Sequence, residues 1–299
     1  LIEKAKEDGV DTIVTCDNGI SAADQIAFAK KMGMTVVVTD HHEVPFEDTE
    51  EGRKYKLPLA DAIINPKQSD CTYPNKNICG AVVAMKLVFA LYEKYGIPES
   101  EKEDYLEPAA IATVGDIMDL QGENRILVKE GLRLPHTKNK GLKALIRAIG
   151  LENQKISSYD IGFRLGPCIN ASGRLDTAMR SLSLLQCEDE EEAAKLANDL
   201  KALNDSRKAL TEQGTEAAYK LIKGSNLKND RVMVVFLPDC HESLAGIIAG
   251  RIREKYHKPA FVLTRGEKSV KGSGRSTENY SMYEELVKCD SLLLQYGGH

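Results

Sequence analysis

Asp40, His41 and His42 put a carboxylate and two imidazoles on one turn of chain, directly after the β-rich run at residues 34–39. A second carboxylate, Asp17, follows another such run at residues 11–15, with Asn18 and Gly19 behind it. Glycine lets the backbone bend sharply there. Mixed carboxylate and imidazole ligands suit Mn²⁺, Fe²⁺ or Zn²⁺. Carboxylate-rich pairs of such ions, roughly 3.5–4 Å apart, are a standard device for phosphoester hydrolysis. A third acid is offered by Ala112-Thr-Val-Gly-Asp-Ile-Met-Asp119, where Asp116 or Asp119 follows an apolar helix; spacing leaves both open. Loop histidines are often merely solvated, and an acid after a helix is often a polar terminus. What favours a site is the placement of Asp17 and Asp40 on two neighbouring strand ends.

Those strand ends require a sheet. Residues 21–32, between the two runs, have helical character with Ser21 as N-cap. A β-α-β unit follows, which demands a right-handed crossover and a parallel sheet. Its carboxyl edge, where open α/β folds place their ligands, carries Asp17 and Asp40. Residues 60–64 read as another buried strand, stopped by Asn65-Pro66, and helices are expected at 79–95, 104–117, 123–134, 140–149 and 176–186. The acidic run 187–192 suits a helix N-terminus. Leu196, Leu200, Leu203, Leu210 and Leu221 continue from it as an apolar stripe, with Gly214 as a point of bending. Such a helix of about 35 residues would span roughly 50 Å. After Gly224 come strand 231–236, helix 243–256, strands 260–264 and 269–272, and helix 281–288. The expected division is an α/β domain at 1–187, a connecting helix at 188–224 and a smaller α/β domain at 225–299.

Composition bounds what these parts can do. The 299 residues carry 40 basic and 45 acidic side chains, a formal charge of −5, with 42% hydrophobic and 28% charged residues. That balance fits a soluble globular protein and excludes a disordered or collagen-like chain. No apolar run approaches the roughly 20 residues that cross a bilayer, so no membrane role is expected. Seven cysteines, an odd number without a Cys-x-x-Cys, read as reduced thiols and a cytoplasmic location. Local basic stretches stand out: six Lys/Arg against one Glu at 129–147, and eight against two at 251–275. They fit either a polyanion or solvated helix faces. Aromatic residues make up only 6%, with no Trp, so base stacking is not advertised.

Gly272-Ser-Gly-Arg-Ser276 can turn successive N–H groups inward as a nest, with Ser273, Gly274 and the Arg275 fork holding a phosphate. It can equally be a glycine-rich hairpin turn with an exposed Arg. Arg174, after Gly173, reads as a backbone-phosphate contact or a charge at a helix N-terminus. Contacts of this kind grip phosphates rather than read bases.

Thr15-Cys-Asp-Asn-Gly-Ile20, Thr39-Asp-His-His-Glu43 and Thr113-Val-Gly-Asp-Ile117 resemble the second, third and fourth motifs of the DHH phosphoesterase superfamily. Leu165-Gly-Pro-Cys-Ile-Asn-Ala-Ser-Gly-Arg-Leu175 resembles the segment that marks its RecJ-type single-stranded-DNA exonucleases. His241-Glu-Ser-Leu-Ala-Gly-Ile-Ile-Ala-Gly-Arg251, Gly272-Ser-Gly-Arg-Ser276 and Gly297-Gly-His299 resemble the companion DHHA1 domain. The motifs run in order over nearly the whole chain. The resemblance implies an α/β parallel-sheet DHH domain joined by a long helix to a smaller, truncated DHHA1 domain. It implies metal-dependent 5′-to-3′ hydrolysis of single-stranded DNA to mononucleotides, in repair and recombination. In that scheme Asp17 bridges two Mn²⁺ (or Mg²⁺) ions, and His41 and Asp116 bind one of them. Asp40 orients the ligating histidine, and His42 stabilises charge at the scissile phosphate. Arg174, Ser273, Gly274, Arg275, Gly297, Gly298 and His299 would touch the substrate. The implied partners are single-stranded DNA and repair proteins such as a helicase or single-strand-binding protein.

The chain departs from the family pattern in one respect. The first motif, an Asp-x-Asp pair on the first strand, has no match upstream of Asp17; Asp8 and Asp11 do not fit it. With no initiator Met and an end inside the companion domain, the expectation is a piece of a longer protein. Alone, that piece should have little nuclease activity and an open sheet edge beside residues 11–15. Rival readings are a DHH-type phosphodiesterase or phosphatase on short oligonucleotides, cyclic dinucleotides or nucleotide 3′-phosphates, and a non-catalytic nucleic-acid-binding module. A pyrophosphatase fits less well, because its second domain lacks the Gly-Ser-Gly-Arg-Ser and Gly-Gly-His features.

Overall fold

β-Branched residues build the first two strands, β1 (Thr12–Cys16) and β2 (Thr35–Thr39), which pair in parallel with Ile13 opposite Val36 and Val14 opposite Val37. They belong to a computed structural model that describes residues 1–49, 52–133, 137–267, 269–294 and 296. The described chain divides into two compact units, Leu1–Gly166 and Pro167–His299. In the first unit α1 (Ile2–Glu7) leads into β1, and α2 (Ala23–Lys31) crosses from β1 to β2. Ala22, not Ser21, is the N-cap of α2, without a side-chain cap. The tight turn after Gly19 brings the Ala22 N–H to the Gly19 carbonyl and places Ser21 one residue outside the helix.

A hairpin of β3 (Phe46–Thr49) and β4 (Gly52–Tyr55) interrupts the path to the third parallel strand, β5 (Ala62–Ile64). The sheet order is β1-β2-β5. Sequence reading passes over the hairpin because its residues are mostly charged. One face is nevertheless ordered, with Tyr55 edge-on to Phe46 and the Arg53 guanidinium 3.6 Å over the Phe46 ring. Helices α3 (Gly80–Tyr95), α4 (Leu106–Gly115), α5 (Gly122–Gly131) and α6 (Lys140–Ala148) follow. Each lies near its expected span. Val82, Val83, Ala109, Ala110, Leu127 and Val128 form a core shared by α3, α4 and α5. A second core of Ile26, Ala29, Met34, Val36 and Val38 joins α2 to the sheet. The first unit closes with the short α7 (Ser158–Asp160), held by a reciprocal Ser157–Asp160 capping box, and a π-helical turn over Ile161–Leu165.

α8 (Gly166–Leu175) opens the second unit, followed by α9 (Met179–Gln186) and the 34-residue α10 (Glu190–Lys223). Asp189 caps α10 by accepting from the Glu192 N–H at 2.8 Å, worth about 1 kcal/mol at a helix start. The helix runs unbroken through Gly214, which serves close packing rather than a bend. A Cβ there would lie 2.6 Å from Ile248 Cδ1. Then come β6 (Met233–Phe236), α11 (Glu242–Tyr256), β7 (Ala260–Arg265), β8 (Val270–Arg275) and α12 (Met282–Val287). The sheet order is β6-β7-β8, the first pair parallel and the second antiparallel. Ala218 and Ile222 of α10 are buried with Met233, Val235, Ile248 and Ala249. The division between units therefore falls at 166/167, upstream of the expected 187/188, because α8 and α9 belong with α10: α9 packs on α10, and Asn204 donates to Cys168 Sγ at 3.3 Å. The long helix is part of the second unit's own core. Among the described residues no helix is long and apolar enough to cross a membrane.

Candidate active site

β1 and β2 end side by side, Cys16 opposite Thr39, so the residues that follow leave the same edge of the sheet. The Asp17 N–H donates to the Thr39 carbonyl and the Asp40 N–H to that of Ile64, each at 3.0 Å, which carries the ladder one step beyond the strands. Asp17 then turns to a φ of 62°, which costs a non-glycine residue on the order of 1 kcal/mol. Gly19, at φ 110°, closes the turn where a Cβ would sit 2.7 Å from Thr15 Oγ1. Asp116 arrives as the C-cap of α4, and the next residue, the exposed Ile117, adopts φ 56°. A β-branched residue rarely accepts that region. Strain of this kind clusters at functional sites.

His41 is where these elements converge. Its side chain is 9% exposed, and Nε2 lies 3.1 Å from Asp17 Oδ1 and 3.3 Å from Asp116 Oδ2. Neither oxygen is aligned as a hydrogen-bond acceptor, and neither ring nitrogen has a hydrogen-bond partner. An unsatisfied buried nitrogen is rare and costs about 1–3 kcal/mol. A cation would satisfy it. Asp17, His41 and His42 offer ligand atoms all within 4.8 Å of one another, and the mixed carboxylate–imidazole set suits a divalent ion such as Mn²⁺. Asp116, not Asp119, is the acid brought to His41; the Asp119 carbonyl accepts from Asn124 Nδ2.

Asp40 does something other than the family resemblance implies. It does not reach the His41 ring. Its Oδ1 accepts from the His41 and His42 N–H groups and lies 2.7 Å from His42 Nδ1, while Oδ2 accepts from the Ile20 N–H. The short spacing of the Asp-His-His run folds the carboxylate back onto the second histidine. Burial alone would raise the Asp40 carboxyl, but the Ile20 N–H and the His42 ring outweigh it and hold the group below the usual range. With Nδ1 engaged, His42 keeps Nε2 free on a half-exposed ring. Burial pushes the Asp17 carboxyl up; His41 pulls it back, and the negative charge of Asp116 adds to the rise.

Sequence reasoning missed Gly80. A Cβ on this first residue of α3 would lie 2.3 Å from Asp17 Oδ1 and 2.6 Å from its Cβ. The helix start is thus seated directly against the strained aspartate, and only a glycine at the start of an apolar helix signals it.

In the second unit the expected nest at residues 272–276 is absent. Gly272, Ser273, Gly274 and Arg275 lie in β8, opposite Leu263, Val262, Phe261 and Ala260. Antiparallel pairing alternates the N–H directions, so they cannot converge on one anion. The glycines instead make room across the ladder: a Cβ would meet Leu263 Cδ2 at 2.3 Å from Gly272 and Phe261 Cε1 at 2.6 Å from Gly274. Ser273 and Arg275 face α11, where a Cβ on Gly246 would lie 2.8 Å from Arg275 Nη2 and from Ser273 Oγ. Arg275 Nη1 donates to the Gly274 carbonyl at 2.8 Å. Arg174 lies in the last turn of α8, not at a helix N-terminus, and donates to the Ser243 carbonyl at 3.1 Å. Sequence reading also missed Arg207. Burial pushes its guanidinium down, and the nearby charge of Arg174, then that of Arg251, adds to the effect. Gly297, Gly298 and His299 lie outside the described residues.

The family model described as "DHH family, N-terminal domain" matches residues 2–113. The chain is 36% identical to the single-stranded-DNA-specific exonuclease RecJ of Salmonella typhimurium, over 100% of this chain and 54% of that protein. It therefore spans about half the length of that curated relative. Among solved structures, RecJ from Thermus thermophilus in complex with Mn²⁺ matches with a TM-score of 0.83 and 33% identity, covering 100% of this chain and 43% of that one. An exonuclease RecJ bound to manganese matches with a TM-score of 0.81 and 33% identity, covering 100% of this chain and 72% of that one.

Proposed function

The chain belongs to the DHH family, on its RecJ-type branch, and from that membership we propose that it serves the metal-dependent hydrolysis of single-stranded DNA. The reading includes release of mononucleotides from the 5′ end, two Mn²⁺ or Mg²⁺ ions, a cytoplasmic location and a role among repair proteins. Its main support is His41, buried with both ring nitrogens unsatisfied and two carboxylate oxygens beside Nε2.

Asp17, His41 and Asp116 would hold an ion. When bound, such ions supply Lewis-acid charge neutralisation and water activation at phosphorus. The chain's own residues prepare the rest. Asp40 fixes the His42 ring through Nδ1 and leaves Nε2 available, so that His42 would serve as a pre-aimed donor to the phosphoryl group. Arg275 and Ser273, with Arg174, supply contacts to backbone phosphates, which grip the strand without reading its sequence.

Calorimetry with Mn²⁺ on residues 1–299 tests the site. Asp17→Ala and His41→Ala should each weaken binding at least tenfold, while His42→Ala keeps the ion and loses turnover on 5′-phosphorylated single strands in a protein of the relatives' full length. Unchanged Mn²⁺ affinity in both Asp17→Ala and His41→Ala would overturn the assignment.

A further inference from the structure

Tyr159 and Phe163 stand one helical turn apart in the segment that closes the first unit. Their rings are stacked, with centroids 4.7 Å apart and planes inclined by 28°, yet the residues are 65% and 68% exposed. Aromatic side chains gain most when buried, so two rings that stack on each other while facing water form a ready-made flat surface. The backbone beneath is unusual. The Ser157–Asp160 capping box starts the turn, and Ile161–Leu165 continues it as a π-helix, a geometry frequent at functional sites. Ile161 and Leu165 are fully buried, so the turn is anchored while its aromatic pair faces out. It packs against α4, the helix whose C-cap is Asp116.

Charge identifies the occupant. Residues 138–164 carry six cations (Lys138, Lys140, Lys143, Arg147, Lys155 and Arg164) against two acids (Glu152 and Asp160), in a chain of net charge −5. Several of these cations are already engaged: Lys138 with Asp104, Arg147 with Glu152, and Arg164 with Asp160 and the Ile149 carbonyl. The stretch of sequence that ends in the two rings is thus net positive, and Arg164 directly follows Phe163 in the turn itself. An aromatic platform set in positive charge is the chemistry that holds single-stranded nucleic acid, because every base has a π-face and every link a phosphate.

We propose that Tyr159 and Phe163 form a base-stacking platform for the single strand. This deepens the strand-cleaving reading and rests on it. The platform tolerates any sequence, selects unpaired over paired bases, and sits on an element packed against the helix that delivers Asp116.

The chain contains no tryptophan, so Phe163→Trp introduces a single indole whose emission reports on stacking. Twenty-residue oligothymidylate should quench it, and an abasic strand of equal length should not. In parallel, fluorescence anisotropy of the labelled strands should show that Tyr159→Ala with Phe163→Ala weakens oligothymidylate binding about tenfold or more and leaves the abasic strand within twofold. Oligothymidylate that binds by anisotropy without quenching the indole would overturn the platform and leave strand binding intact. So would equal losses on both strands. Quenching that follows protein concentration without DNA would assign the surface to a second copy of the chain and also overturn it. If wild-type protein binds no oligothymidylate at all, the strand-cleaving reading fails together with the platform.

Discussion

Asp17 and Arg275 are both charged groups set against a helix glycine, but they are held in different ways. Asp17 sits beyond a strand end at positive φ, with the like-charged Asp116 close to the same histidine and a rigid helix start pressed against its carboxylate. Arg275 ends an extended strand, hydrogen-bonds its neighbour's carbonyl, and meets Gly246 only through the tip of a flexible side chain. The first arrangement holds strain and repulsion that a bound cation would relieve. The second has nothing comparable to relieve. A centre that gathers charge needs its neighbours fixed, whereas a contact to a mobile phosphate chain can give way.

The largest expected effect follows from the first arrangement. Asp17→Asn should lower Mn²⁺ affinity about a hundredfold while raising thermal stability. The amide keeps the shape and the tolerance for positive φ, and removes a charge that the fold disfavours. A carboxyl raised in the folded state makes the wild type less stable as pH rises through the folded value. The variant should lack that slope and melt slightly higher at pH 7, an effect kept small by solvent screening of a side chain that is about half exposed. Calorimetric scans and Mn²⁺ titration decide it. A lower melting point together with lost affinity would show that Asp17 is structural and that the contrast with Arg275 is misdrawn.

Glycine substitutions break the comparison more finely. Alanine is the better helix former, yet Gly80→Ala drives a Cβ into the Asp17 carboxylate and should cost at least tenfold in Mn²⁺ affinity. Gly246→Ala meets a guanidinium tip and a hydroxyl, which can swing aside, and should change single-strand affinity less than threefold. Equal effects at the two positions would mean that both sites are equally rigid.

Arg275→Ala should come next in size. It removes one exposed cation, so single-strand affinity should drop severalfold across all sequences. The slope of log affinity against log salt should flatten by about 0.7, the share of one phosphate on a single strand. A larger loss on 5′-phosphorylated than on 5′-hydroxyl strands would place Arg275 at the strand's leading end. Equal loss would leave it a general backbone contact.

The same contrast explains what could be read from sequence. The placement of Asp17 and Asp40 was legible because both follow β-rich runs, and parallel pairing of β1 and β2 brings the two strand ends to one edge. Spacing left Asp116 and Asp119 open, and only the family resemblance singled out Asp116 and the ring of His41. The binding partner of Asp40 was not legible, because its choice between two adjacent imidazoles depends on a backbone turn rather than on residue type. The Gly272–Ser276 run misled for a related reason. Glycines suggest a turn, but here they clear space for Leu263 and Phe261 across the ladder, and that packing is nonlocal. Arg207 and the Tyr159–Phe163 stack depend on tertiary placement and helical phase, which composition does not carry. The β3–β4 hairpin escaped notice because its backbone ladder needs no apolar alternation.

The smallest expected effect concerns a brace that the first unit keeps away from its candidate centre. Glu123, in the first turn of α5, accepts from the Tyr73 hydroxyl at 2.7 Å and from Lys86 Nζ at 2.6 Å, tying the segment before α3 to both helices. Burial would raise the Glu123 carboxyl, but Lys86 and Tyr73 outweigh it and hold the group below the usual range. Burial would lower the Lys86 ammonium, but Glu123 and the Tyr73 hydroxyl hold it above its usual value. The carboxylate's contribution is thus present above its unfolded value and lost as pH falls through the lowered folded one. The ammonium's is present below its unfolded value and lost as pH rises through the raised folded one. Neutral pH lies inside both windows. Glu123→Gln should therefore cost roughly 1 kcal/mol at pH 7, a charge-assisted bond discounted because both side chains are about a third exposed. Urea unfolding should show that difference fading below the carboxylate range, where the wild-type group is itself protonated. Mn²⁺ affinity should stay within twofold, because the brace meets α3 at Lys86, more than a turn from Gly80, and does not touch Asp17. A matching fall in metal affinity would show that the strain at Asp17 is supported from outside the centre, and the two charged sites would then differ in degree rather than in kind.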